Sequence, residues 1–154
     1  MAAGRSFGAP AAEGTAHWNR QQASAAFVCV RPNGTAACGA AVSRLGDRFA
    51  HRILGETEQQ VYAERRQAHA QRASRYLASR FAAKEAFAKA TGTGLRAPVT
   101  LRNIAVLRDA QGKPHVECAP ALVAWLADRG IGAHHVSLSD EGDLVLAYVI
   151  LECS

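Results

Sequence analysis

Apolar residues recur every three or four positions through the middle of the chain and at alternate positions toward its end. The first pattern predicts helices and the second strands. Between about Ala40 and Leu54, Val42, Leu45, Phe49, Ile53 and Leu54 mark one helical face. The pattern restarts after Gly55, where Thr57 is placed to cap a second helix. Residues 72–91 make the strongest helix, rich in Ala, Leu, Arg, Lys and Glu, with Gly92 and Gly94 available to end it. Its apolar stripe runs through Leu77, Phe81 and Ala88. Beyond it, Ile104, Val106 and Arg108 alternate with Ala105 and Leu107, and Gln111-Gly112-Lys113 turns the chain into a hairpin. Residues 119–129 predict a short helix through Leu122, Val123, Trp125 and Leu126, ended by Gly130 and Gly132. The stretch HHVSLSDEGDLVLAYVILE reads as two strands about an Asp-Glu-Gly-Asp turn. The expected fold class is α+β, with helices first and mainly antiparallel strands after.

Residues 1 to about 40 carry no such period. FVCV, residues 27–30, reads as a short strand and RPNG as a turn; the rest of that segment reads as a poorly ordered arm. A chain of 154 residues suits one domain, here 40–154, preceded by a divergent segment 1–39. No apolar run approaches the roughly 18 residues of a membrane helix. With no secretory h-region either, a cytoplasmic protein without membrane contact is expected. Cys29, Cys38, Cys118 and Cys153 form no CxxC pair, so free thiols are expected.

Charge adds a partner to this picture. The formal net charge is +5, and Arg44, Arg48, Arg52, Arg65, Arg66, Arg72, Arg75 and Arg80 crowd one stretch. Arg44, Arg48 and Arg52 stand four residues apart and line one face of their helix. An acidic protein, a phosphorylated ligand or nucleic acid would answer such a surplus. The basic-aromatic motifs of nucleic-acid modules are missing, which disfavours the last. Glu85 poses the sharper question, because it falls within the apolar stripe, four residues after Phe81. A carboxylate there is costly unless paired or coordinated. One answer is a rim ion pair with Lys89, worth only about 0.3–0.5 kcal/mol. The other is a hard cation such as Mg²⁺, with Lys84 and Lys89 near phosphate oxygens. Periodicity leaves both open.

The wording SRYLASRFAAKEAFAKATGTGLR, with LGDRFAHRILGETE upstream and NIAVLRDAQGKPHV and HHVSLSDEGDLVLAYVILE downstream, resembles the holo-acyl-carrier-protein synthases. These are the short bacterial type of 4′-phosphopantetheinyl transferase. The resemblance spans about residues 42–152. It implies the α+β fold of that family, homotrimers with active sites between subunits, and a role in fatty acid biosynthesis. The implied reaction moves the phosphopantetheine arm of coenzyme A to a serine of apo-acyl carrier protein and releases adenosine 3′,5′-bisphosphate. By the same resemblance, Glu85 binds Mg²⁺ and Lys84 and Lys89 lie near the pyrophosphate, Glu85 and Lys89 being catalytic. Gly112-Lys113-Pro114 is then the loop that approaches the nucleotide, and Asp140 a further contact to coenzyme A. Arg44, Arg48 and Arg52 fall on the helix that receives the acidic carrier protein. Read without the resemblance, Asp140 is simply part of a hairpin turn.

The chain departs from the family slightly at Asp140, where many members carry His, and more seriously near its start. A second metal-binding Asp, from a GxGxD strand, should fall at Arg31 or Pro32, yet no acidic residue occurs between Gly14 and Gly46. This leaves a second reading, a catalytically impaired homologue that binds carrier protein or coenzyme A.

Overall fold

The computed structural model describes residues 23–30, 47–142 and 144–153. Arg44, Arg31 and Pro32, with the expectations attached to them, lie outside the described residues.

Two β units pack with a long central helix. Strand β1 (Ser24–Val30) pairs antiparallel with β5 (Leu144–Cys153), and β5 pairs antiparallel with β4 (Ile131–Glu141). The resulting sheet has the order β1-β5-β4. A separate hairpin joins β2 (Ile104–Arg108) to β3 (Pro114–Cys118). The helices are α1 (Asp47–Ile53), α2 (Glu56–Ala68), α3 (Ala70–Ala90) and α4 (Pro120–Ala127). Among the described residues, no helix is long and apolar enough to cross a membrane.

Strand β5 shows why the sheet forms. Val145, Ala147, Val149 and Leu151 point inward and are fully buried, whereas Leu144, Leu146 and Tyr148 stand exposed on the other face. That is the period-two pattern of a strand with one face against a core. The covering layer is α3, which packs on β5 and β1. Its alanines at 78, 82, 83 and 86 let the helix approach closely, and Phe87 fills the space between. Burying a side chain of that size stabilises the fold by about 1.5–3 kcal/mol. A second apolar cluster, Ala50, Ile53, Leu54, Tyr76 and Leu77, holds α1 against α3.

Several expectations are met with small changes. The strand expected at 27–30 begins earlier, at Ser24, and supplies an edge of the main sheet. Gly92 ends α3 with φ of 75°, and its N–H donates to the Lys89 carbonyl. Two readings are corrected. Thr57 does not cap α2; Gly55 is the N-cap, because the carboxylate of Glu58 turns back to accept from the Gly55 N–H at 2.9 Å. The β4–β5 turn is also tighter than four residues. Asp140 pairs with Val145 and Glu141 with Leu144, so both acidic residues are strand residues. Gly142, at φ of 59°, provides the left-handed backbone that a two-residue hairpin turn requires.

Candidate functional site

Helix α3 presents two kinds of chemistry on different faces. Glu85 is half-buried, and among the described residues its carboxylate makes no hydrogen bond or ion pair. Lys89 is exposed one turn further on, and the Glu85–Lys89 pair considered above does not form. A hard oxygen donor, half-shielded and unpaired, fits a Mg²⁺ ion. Among the described residues no group of three or more His, Cys, Asp or Glu could hold a metal. Mg²⁺ bound here would therefore rest on one carboxylate of this stretch, with water and substrate phosphates completing its shell.

Lys84 is corrected. It was expected near the pyrophosphate, but its side chain is wholly buried and its ammonium is used internally. It donates to Glu58 Oε2 at 2.5 Å and to the Ile53 carbonyl at 2.6 Å. The helical period explains the difference, since one step along α3 turns a side chain by about 100°. Lys84 and Glu85 thus face different surroundings. Burial pushes the Lys84 ammonium below its ordinary pKa, with the Glu58 carboxylate opposing.

A cavity of about 450 Å³ opens beside the N-terminal half of α3, lined among others by Arg65, Arg72, Arg75, Arg80, Arg108 and Asp140. Arg80 is its most unusual member. Only 3% exposed, its guanidinium lies 4.4 Å from the centroid of the Tyr76 ring. Arg65 lies 4.9 Å from the same centroid. Nη1 of Arg80 donates to Ser79 Oγ at 3.3 Å, while its buried Nε has no hydrogen-bond partner among the described residues. Burial raises the Tyr76 phenol above its ordinary pKa, against the pull of Arg80 and Arg65. Arg75 faces Asp140 at 3.5 Å and donates to the Gly142 carbonyl at 2.6 Å, tying α3 to the β4–β5 turn. The electrostatic character is plain: five guanidinium groups surround one carboxylate.

Gly112 and Lys113 lie in the turn of the β2–β3 hairpin, and Pro114 is the first residue of β3. Gly112 has φ of 84°, and Asp109 Oδ1 accepts from the N–H groups of Gln111 and Lys113, both at 2.9 Å. Arg108 reaches from the cavity to the Gly112 carbonyl at 2.8 Å, so this loop borders the arginines. Asp140 lines the cavity itself, whereas Gly112, Lys113 and Pro114 do not and are linked to it only through Arg108. Arg48 and Arg52 do not line it either; they stand exposed on α1, whose Asp47 is ion-paired to Arg66 of α2. In the sequence, Arg72, Arg75 and Arg80 stand only as surplus charge; the fold makes them one wall of a cavity. The signal available was their spacing of three, five and eight, which keeps them on one side of α3 with Tyr76 and Ser79. His135 pairs with Glu152 at 3.2 Å on the sheet's exposed side and does not line the cavity.

A basic cavity and an unpaired carboxylate on one helix define a protein that handles phosphate esters. The chain belongs to the 4′-phosphopantetheinyl transferase superfamily, whose family model matches residues 37–149. Among curated relatives, the holo-[acyl-carrier-protein] synthase of Thiobacillus denitrificans is 61% identical over 116 residues, spanning 75% of this chain and 84% of the relative. That of Nitrosomonas europaea is 51% identical over 111 residues, 72% of this chain and 85% of the relative. The crystal structure of the Neisseria meningitidis holo-[acyl-carrier-protein] synthase superposes with a TM-score of 0.75 at 41% identity, covering 84% of this chain and 97% of that one. A Bacillus anthracis synthase, solved in complex with CoA (3′,5′-ADP), superposes with a TM-score of 0.67 at 29% identity, over 85% of this chain and 96% of that one.

Proposed function

We propose that this protein transfers the 4′-phosphopantetheine group of coenzyme A to a serine of apo-acyl carrier protein and releases adenosine 3′,5′-bisphosphate. The observation that carries the reading is the cavity of five arginines, a surface that only a polyanionic ligand would neutralise. In the reaction the serine Oγ attacks the β-phosphorus. A new O–P bond forms, the bridging P–O bond breaks, and its electron pair leaves on adenosine 3′,5′-bisphosphate. The serine proton passes to a base, a role open to Glu85. Mg²⁺, held by Glu85, would supply positive charge to the phosphate oxygens. Lys89 adds a mobile cation one turn away. The arginine cavity, joined to the Gly112-Lys113-Pro114 segment through Arg108, binds the phosphates of coenzyme A, and Asp140 orients Arg75 within it. Exposed Arg48 and Arg52 receive the acidic carrier by complementary charge.

The cavity residues of α3, Arg72, Arg75, Tyr76, Ser79 and Arg80, fill an arc of about 140° around the helix, and Glu85 falls about 150° from its middle. A single copy therefore turns its cavity and its carboxylate in different directions. An active site shared between copies joins them, and a homotrimer is the assembly we propose. The exposed row Leu144, Leu146 and Tyr148 on β5 offers an apolar face for it. We assign the activity to residues 40–154, with β1 completing the sheet, and place the protein in the cytoplasm, where coenzyme A and carrier protein occur. A catalytically impaired binding protein is the weaker reading, because the matched relatives are named synthases. Incubation with apo-acyl carrier protein, coenzyme A and Mg²⁺ tests the proposal: the carrier should gain the mass of the arm, and none should be gained when Mg²⁺ is chelated. A carrier of unchanged mass would refute it.

A further inference from the structure

Lys84 lies one residue before Glu85, yet its ammonium turns inward, into a knot of four elements. It donates to the carbonyl of Ile53, the last residue of α1, and to Glu58 Oε2 near the start of α2. Glu58 in turn accepts from the Gly55 N–H through Oε2 and from the Val106 N–H of β2 through Oε1, each at 2.9 Å. Both charged side chains are wholly inaccessible to solvent. Each polar contact here answers a need. A helix leaves its final carbonyls without partners, and Lys84 satisfies the one at Ile53. A buried carboxylate without a cation is strongly unfavourable, and Lys84 provides the cation.

What the knot fixes is the placement of α1. The described part of α1, Asp47–Ile53, buries only Ala50 and Ile53, so a tie at its last carbonyl bears directly on where it sits. Ile53 directly follows Arg52 of the exposed arginine row, and Lys84 directly precedes Glu85. A single 2.6 Å hydrogen bond therefore joins the backbone of the docking helix to the turn of α3 that carries the carboxylate.

We propose that Lys84 is a positioning residue: by tying the C-terminus of α1 to α3, it sets where a docked carrier protein presents its serine relative to Glu85. The inference rests on the transferase reading above, in which Arg48 and Arg52 receive the carrier and Glu85 serves the transfer. It departs from a role for Lys84 as a phosphate ligand.

The test uses Lys84→Met in the full chain, with coenzyme A and apo-carrier varied separately and amide hydrogen exchange followed in parallel. A small displacement of reacting groups costs up to about a hundredfold, so kcat/KM for the carrier should fall about ten- to hundredfold. KM for coenzyme A should stay within about twofold, as expected when no ligand contact is lost. Exchange should quicken in α1 well beyond the general rise that lost stability gives the alanine-packed part of α3. Glu58→Gln, which removes one charge and preserves shape, should show the same split more mildly, and it carries the test if Lys84→Met does not fold. A rise in KM for coenzyme A of about tenfold or more with carrier kinetics unchanged would overturn the proposal, because Lys84 would then reach the phosphates. Equal losses for both substrates, with α1 exchange quickened no more than that of α3, would also overturn it, leaving only general support of the fold. Failure of the unaltered protein to modify any carrier would sink the transferase reading instead. The exchange data would still judge the positioning role, and unchanged α1 protection in Lys84→Met would reject it.

Discussion

Removing the Arg80 guanidinium should weaken coenzyme A binding while leaving the ligand-free protein as stable as before, or more so. Most buried residues behave otherwise, and the reason lies in their partners. The Arg80 side chain is almost fully buried, with one long hydrogen bond to Ser79 and ring contact with Tyr76. Its Nε has no acceptor among the described residues, and the cavity holds four more guanidinium groups. An unsatisfied buried donor costs about 1–3 kcal/mol. The ring contact returns about 0.5–2 kcal/mol. The two nearly cancel, so Arg80→Met, which keeps apolar volume over Tyr76, should change the unfolding free energy by less than about 1 kcal/mol. Binding is different, because a phosphate oxygen would satisfy the guanidinium. Hydrogen bonds to charged groups contribute about 1.5–3 kcal/mol, equivalent to about ten- to a hundredfold in affinity. Titration calorimetry with coenzyme A gives one quantity and urea unfolding without ligand the other. A destabilised variant with unchanged affinity would refute the reasoning and make Arg80 a structural residue.

Other outcomes follow from the same geometry. Glu85→Gln should leave the urea midpoint unchanged, since the carboxylate has no partner among the described residues, yet cut transfer to carrier by about a hundredfold or more, as loss of one electrostatic group in a reaction site does. Lys84→Met should cost about 3–5 kcal/mol by leaving the Glu58 carboxylate without its cation, and the double variant Glu58→Leu, Lys84→Met should recover part of that in urea unfolding. Charge reversal at Arg48 and Arg52 should slow carrier association and flatten its dependence on salt in stopped-flow measurements, with circular dichroism unaltered because both side chains are exposed. Burial pushes the Cys118 thiol up to about 11 from 9.0. Its neutral form therefore supports folding fully below pH 9 and loses that contribution as pH rises through 11. Iodoacetamide at pH 8 should label exposed Cys29 well before Cys118, as mass spectrometry of peptides would show.

Local chemistry wrote much of this protein openly. Three- and four-residue spacing marks α3, alternation marks β2, β4 and β5, and Gly92 and Gly142 mark where elements stop. All of these depend on neighbours within a turn or a strand pair, so they are visible in one dimension. The position of Glu85 in an apolar stripe was visible for the same reason. What the one-dimensional pattern could not give was partnership across distance. Lys84 and Glu58 are 26 positions apart and Glu58 and Val106 are 48 apart, and no local period links them. Only the packing of α1, α2 and β2 on α3 makes Lys84 a buried brace where its motif suggested a ligand. The arginine cavity is the same case. Arg65, Arg80, Arg108 and Asp140 come from four elements, and their shared field arises once the helices close on the hairpin and the sheet edge. Sequence settles which residues are charged and which face of its own element each occupies; burial and tertiary proximity decide whether that charge is spent inside the fold or held out for a substrate.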